Sequence, residues 1–148
     1  MSKNISSTQK AYLAGFLDGD GSIYVRLKPN SSYRFGFQIA PYIVFFQSQK
    51  ERAKFQKVCD LAQLGHLRER KDGILEYIID RLDAIKQFIE WTKPYVILKR
   101  QQVALMIEIL NKKQEINSAK DFKVLAGLID KFRTLNYSKK RKRHILTP

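Results

Sequence analysis

The hydrophobic pattern opens with a block that has no polar side. Ala11-Tyr12-Leu13-Ala14-Gly15-Phe16-Leu17 follows Ser6 and Gln9, which are spaced as a capping box, so a helix is predicted from Ser6 to Leu17. A helix that is apolar all round must bury more than one face and needs two sets of neighbours. Ala11, Gly15 and Gly19 lie four residues apart on one face, where a second backbone can come close, which points to helix-on-helix contact. After a turn over Asp18 to Gly21 the period changes to two: Ile23, Val25 and Leu27 face one way, and Tyr24, Arg26 and Lys28 the other.

A turn at Pro29-Asn30-Ser31-Ser32 leads into a second strand. Phe35, Phe37, Ile39, Ile43 and Phe45 take the core parity there, with Arg34, Gln38 and Tyr42 on the opposite face. Pro41 has no amide to give to a ladder, so a bulge or an unpaired edge is expected at that point. Ser48 and Glu51 form a second capping-box pattern, and Phe55, Val58, Cys59 and Ala62 then recur at helical spacing until Gly65. His66 to Arg70 and Ile74 to Asp80, joined through Lys71-Asp72-Gly73, read as a shorter hairpin with Arg68, Arg70 and Glu76 on its polar face. Three further helices are predicted: Leu82 to Trp91, Tyr95 to Asn111, and Ala119 to Asn136 behind a cap at Ser118 with Asp121. The pattern is α+β, and 148 residues suffice for one domain, taken as 1–138, followed by a basic tail at 139–148.

Charge narrows the partner. Lysine and arginine number 28 against 14 acidic residues, a formal charge of +14, and such an excess suits a polyanion because phosphate binding releases counterions. One cysteine, Cys59, excludes a disulfide framework and a cysteine-rich zinc site, so a reducing, intracellular setting is expected. His66 and His144 have no partner at metal-ligand spacing. No apolar run reaches the ~20 residues of a membrane span, and the polar start lacks a signal peptide's apolar region, so no membrane partner is expected.

Asp18-Gly19-Asp20-Gly21-Ser22-Ile23 matches the middle of a calcium-binding EF-hand loop, but the first ligand would fall on Phe16 and the bidentate glutamate on Leu27, neither of which coordinates a hard cation. Taken with the helix before it, Leu13-Ala14-Gly15-Phe16-Leu17-Asp18-Gly19-Asp20-Gly21 resembles the nine-residue LAGLIDADG motif at nearly every position. The helix, hairpin, helix, hairpin order is similar to the single-motif members of the LAGLIDADG homing endonucleases over essentially the whole chain. That resemblance implies an αββαββα fold with an antiparallel DNA-binding sheet and C-terminal helices. It also implies a homodimer in which motif helices pack together, with Ala11, Leu13, Ala14, Gly15, Asp18 and Gly19 at the interface. Leu125-Ala126-Gly127-Leu128-Ile129-Asp130 spells the first six motif letters again, but the catalytic position falls on Phe132 and no Asp-Gly turn follows, so one motif is read.

By the same resemblance Asp20 is the metal-binding carboxylate, the Gly19 carbonyl a supporting ligand, Gln47 the water-positioning residue and Lys99 the active-site lysine. Asp18 is expected to cap or buttress the helix end. Lys50 and Arg52 are both candidates for the family's basic residue after Gln47. The chemistry gives its own reason for a dimer, since each chain offers one well-placed acid and two-metal phosphodiester hydrolysis needs carboxylates on bridging and flanking ions. Mg2+ suits such a site, and Mn2+ is expected to substitute.

A first strand of about ten residues would span ~33 Å, close to one turn of duplex, and a two-stranded ribbon fits the major groove. Tyr24, Arg26, Lys28, Asn30, Ser32, Tyr33, Arg34, Gln38, Tyr42, Arg68, Arg70 and Glu76 are the residues expected near double-stranded DNA, while Lys139, Lys140 and Arg141 would add phosphate contacts. Twofold symmetry implies a long near-palindromic site. The resemblance adds a staggered cut with 3′ overhangs, an intron origin, and a prokaryotic cytoplasm or organelle rather than the nucleus. Rival readings are an RNA maturase that helps its intron splice on the same scaffold, and a DNA-binding regulator without activity. Retention of Asp20, Gln47 and Lys99 argues for cleavage.

Overall fold

The structure, a computed structural model, describes residues 4–136, so the expected phosphate contacts of Lys139, Lys140 and Arg141 lie outside the described residues. The element order is α1 (Ser7–Asp20), β1 (Gly21–Pro29), β2 (Phe37–Ser48), α2 (Arg52–Ala62), β3 (His66–Glu69), β4 (Ile74–Ile79), α3 (Leu82–Thr92), α4 (Arg100–Lys113) and α5 (Ala119–Leu135). This is the expected α+β arrangement, αββαββα followed by two helices, with an antiparallel sheet in the order β1-β2-β4-β3. The chain forms two compact units, one taking in residues through Ile23 with Tyr42–Arg100, the other Tyr24–Pro41 with the chain from Gln101.

In the first unit α1 packs on α3 and α2. The capping box forms as expected: the Ser6 hydroxyl accepts from the Gln9 amide at 3.1 Å, and the Gln9 side chain accepts from the Ser6 amide at 2.9 Å. Leu13, Ala14 and Leu17 are buried against a core that includes Phe45, Phe55, Phe88 and Tyr77. Phe16 ties helix to sheet, its ring 5.1 Å from that of Phe45 and 6.0 Å from that of Phe55. The expected turn over Asp18 to Gly21 is instead the last turn of α1, and the strand follows without a linker. Gly21 permits this junction, because a Cβ there would lie 2.8 Å from the Leu17 Cα and 2.9 Å from its carbonyl oxygen.

Three other boundaries differ from the sequence reading. Ser48 caps a single 3₁₀ turn, accepting from the Lys50 amide at 3.3 Å; its own amide donates to the Gln47 side chain at 2.9 Å, so Glu51 does not close a box there. Helix α2 stops before Gly65, with Gln63 in the left-handed region at φ 51°. Gly65 serves a close approach, since a Cβ there would collide with the Ile78 carbonyl oxygen. The β1–β2 connection is longer than the expected turn: Asn30 to Gly36 form the loop, so Tyr33, Arg34 and Phe35 precede the strand. The Asn30 side chain holds it by accepting from the Ser32 amide at 3.0 Å and the Ser32 hydroxyl at 2.6 Å. Pro41 lies outside the stretch Ile43 to Ser48 that pairs with β4, so it breaks no rung of that ladder.

The buried Tyr77 hydroxyl accepts from the amides of Leu64 and Gly65 at 2.8 and 2.7 Å, closing the α2–β3 connection. Tyr77→Phe would leave both donors unmet, and we expect a loss of about 1–3 kcal/mol in a denaturant titration; an unchanged midpoint would refute this role. Cys59 belongs to the same core, and burial pushes its thiol up to about 12, so it acts there as a small hydrophobe.

In the second unit, α4 and α5 bury Val103, Met106 and Ile109 together with Leu125, Ile129 and Phe132. Gln102 donates its side-chain amide to the Leu135 carbonyl at 3.1 Å. Phe35 and Phe37 stack on Phe122, with ring centroids 5.4 and 5.9 Å away. The second copy of the motif letters, Leu125 to Asp130, thus supplies an ordinary packing face.

Candidate active site

The C-terminal end of α1 collects the chemistry. Asp20 is the last helical residue and is exposed, as is Gly19, while Asp18 is half-buried. Both Asp18 carboxylate oxygens accept backbone amides some 80 residues away: Oδ2 from Ile97 at 2.8 Å and Leu98 at 3.2 Å, Oδ1 from Lys99 at 3.0 Å. The Lys99 ammonium donates back to the Asp18 carbonyl oxygen at 3.0 Å. A cation is favoured there because the last carbonyls of a helix carry the negative end of its dipole. The expected buttress at Asp18 is thus a bond between two elements. It also explains why α4 begins at Arg100 rather than at Tyr95: the amides of Ile97 to Lys99 converge on one carboxylate instead of entering a helical ladder.

Gln47 sits near the end of β2, opposite Leu75 and half-buried. Phe16 and Asp20 share one face of α1, and Phe45 and Gln47 share one face of β2. The contact between the Phe16 and Phe45 rings sets those two faces against each other. Arg52, one of the two basic candidates, pairs with Glu69 at 3.2 Å, a contact that sequence spacing does not signal.

A depression of about 370 Å³ runs along α1, lined by Ala11, Tyr12, Gly15, Phe16, Gly19 and Asp20. Nothing lies within 4 Å of a Cβ placed on Gly15 or Gly19, so this stripe is open in the single chain. Leu13 and Ala14, assigned to a subunit interface from the sequence, are 0% exposed and belong to the chain's own core. Asp18 is likewise committed to residues 97–99 of its own chain.

Among the described residues no three metal-ligating side chains come together. A single exposed carboxylate beside a helix-end carbonyl does fit a hard cation such as magnesium, which keeps several waters and binds through one or two carboxylates plus phosphate oxygens.

On the sheet, the face carrying Arg68, directly opposite Glu76, also carries Phe46 of β2. In β1 the alternation holds, with Ile23 and Val25 buried, Arg26 and Lys28 exposed, and the Arg26 guanidinium 5.5 Å from the Tyr24 ring centre. Gln38 and Tyr42 are half-buried on β2, but Ala40 and Val44 of the same parity are buried, so β2 does not keep the simple alternation expected of it; Asn30, Ser32, Tyr33 and Arg34 lie in the loop. Arg70 is bonded to Asp72 at 2.6 Å in the β3–β4 turn.

Residues 13–106 match the model of the family described as LAGLIDADG endonuclease. The chain belongs to the LAGLIDADG endonuclease family. It is 33% identical over 135 residues to the DNA endonuclease I-CreI of Chlamydomonas reinhardtii, covering 88% of this chain and 80% of that protein. It is 31% identical over 134 residues to the DNA endonuclease I-CvuI of Chlorella vulgaris, covering 88% and 81%. The crystal structure of I-CvuI in complex with the I-CreI target, with 2 mM Mg and the DNA not cleaved, superposes with a TM-score of 0.82 at 28% identity, over 91% of this chain and 86% of that one. A second I-CvuI structure, with its own target and 2 mM Ca, gives 0.83 at 28% identity, over 93% and 87%. As a LAGLIDADG endonuclease the chain has the fold read from its motif, and the motif residues 13–21 fall inside the matched span.

Proposed function

We propose that this LAGLIDADG endonuclease is a site-specific homing enzyme that works as a homodimer and hydrolyses both strands of a long near-palindromic DNA site. The observation that carries this reading is the end of α1: the exposed Asp20 follows directly on the open Ala11-Gly15-Gly19 stripe, with the Lys99 ammonium held two residues away. Packing two such stripes together would bring two Asp20 side chains to one centre, which a single chain does not supply. A divalent cation bound there supplies Lewis acidity at the scissile phosphate and a more acidic water. Asp20 and the Gly19 carbonyl would hold it, and Gln47 would orient the water with its side-chain amide. Lys99 would stabilise charge developing on the phosphate oxygens.

Tyr24, Arg26, Lys28, Gln38, Tyr42, Arg68 and Glu76 would read bases in the major groove, with arginine suited to guanine and glutamine to adenine. Asn30, Ser32, Tyr33, Arg34 and Arg70 would engage DNA from the loop and turn. Cleavage across the minor groove, staggered with 3′ overhangs, completes the reading, with an intron as the encoding element.

Selection from a randomised duplex library tests this. With magnesium or manganese the wild type should cut one long near-palindrome, and with EDTA it should cut none. Duplex or RNA that is bound but never cut under any metal would sink the endonuclease reading in favour of a regulator or a maturase.

A further inference from the structure

We infer that Asp18 is a positioning residue for Lys99, fixing the ammonium beside the Asp20-bearing helix end before DNA arrives; this rests on the endonuclease reading above. The segment between α3 and α4 has little packing to hold it. Val96 is fully buried, but Ile97 and Leu98 are 74% and 75% exposed, so side-chain burial does not fix the turn that carries Lys99. Three consecutive amides of that turn instead converge on the Asp18 carboxylate, at 2.8, 3.2 and 3.0 Å. Hydrogen bonds to a carboxylate are shorter and roughly twice as strong as those to a neutral acceptor, and the bond from Lys99 is partly buried.

Lys99 is held at both ends by this one residue. Its own amide donates to Oδ1, and its ammonium donates to the Asp18 carbonyl oxygen at 3.0 Å. A free lysine side chain has among the largest rotamer freedom of any residue. Pinning both ends of the four-carbon stem removes most of that freedom in the folded protein, so less ordering is left for the moment of reaction. Asp18 is thus set apart from Asp20, two residues on: one acid of the motif faces solvent at the helix end, and the other faces inward and orders a distant backbone.

The test is a kinetic cycle on the duplex selected with the wild type. Single-turnover cleavage in magnesium and duplex affinity in calcium are measured for the wild type, Asp18→Ala, Lys99→Met and the double variant. Asp18→Ala should slow cleavage about 10–100-fold, the range for residues that orient catalytic groups, with affinity within about twofold. In the Lys99→Met background the same substitution should cost nothing further, because there is no ammonium left to position. Asp18→Asn, which keeps one acceptor oxygen and the side-chain shape, should give an intermediate rate, and it carries the cycle if the alanine variant does not fold. Rate losses that multiply in the double variant, or a loss confined to affinity, would overturn the positioning role while leaving the nuclease reading intact. A wild type that cuts no duplex would overturn both.

Discussion

Replacing Asp20 with asparagine is expected to cut the cleavage rate by about 10³-fold or more, at the upper end of what losing one stabilising group at a reacting phosphate or carbonyl costs, while duplex binding and folding persist. Asp20 is exposed at the end of α1, so the substitution exposes no core and leaves no buried donor behind. Exposed changes of this kind usually shift stability by no more than about 0.5 kcal/mol. Asparagine keeps the shape but offers a neutral oxygen in place of the charged one, a weaker ligand for a hard cation than a carboxylate, and no other cluster of metal-ligating side chains among the described residues stands in for it. The measurement is cleavage of the selected duplex alongside thermal melting and binding in calcium. An Asp20→Asn protein that cuts at the wild-type rate would remove this carboxylate from the reaction.

Gly15→Leu separates the two tasks proposed for α1, because its expected effects have opposite signs. In the single chain the site is open, and replacing a helical glycine by a good helix former should stabilise the helix by up to about 1 kcal/mol. Across a helix-to-helix contact the same side chain would drive the backbones apart. The expected result is a chain that still folds, runs as a monomer in light scattering, and loses cleavage by at least about 100-fold, since each chain carries one Asp20. A dimer that persists with full activity would show that the stripe is not the contact.

What was legible in the sequence is what local code writes. The capping box at Ser6 and Gln9, the two-residue period of β1 and the nine motif positions depend on neighbours a few residues apart, and each appears in the structure where it was read. The start of α4 was not legible, because the carboxylate that takes its preceding amides is some 80 residues upstream. Nor could spacing reveal that Gln63, a residue with a Cβ, takes the left-handed position while Gly65 is kept for its close approach to Ile78. At Ser48 the pattern of a box was present, but the Gln47 side chain had already claimed the amide that Glu51 would have used. The small-residue stripe of Ala11, Gly15 and Gly19 lies open in the single chain. Which of its neighbours face outward needed the structure, since Leu13 and Ala14 share the same apolar run and turn into the chain's own core.

The four hydrogen bonds between Asp18 and the Ile97–Lys99 segment also bear on protein engineering. The nine-residue motif is not a portable cassette. A chimera that replaces this chain's first helix removes an acceptor whose donors sit in another part of the gene, so a crossover point between them separates groups that bond to each other here. A successful transplant of that helix should therefore carry residues 96–99 with it.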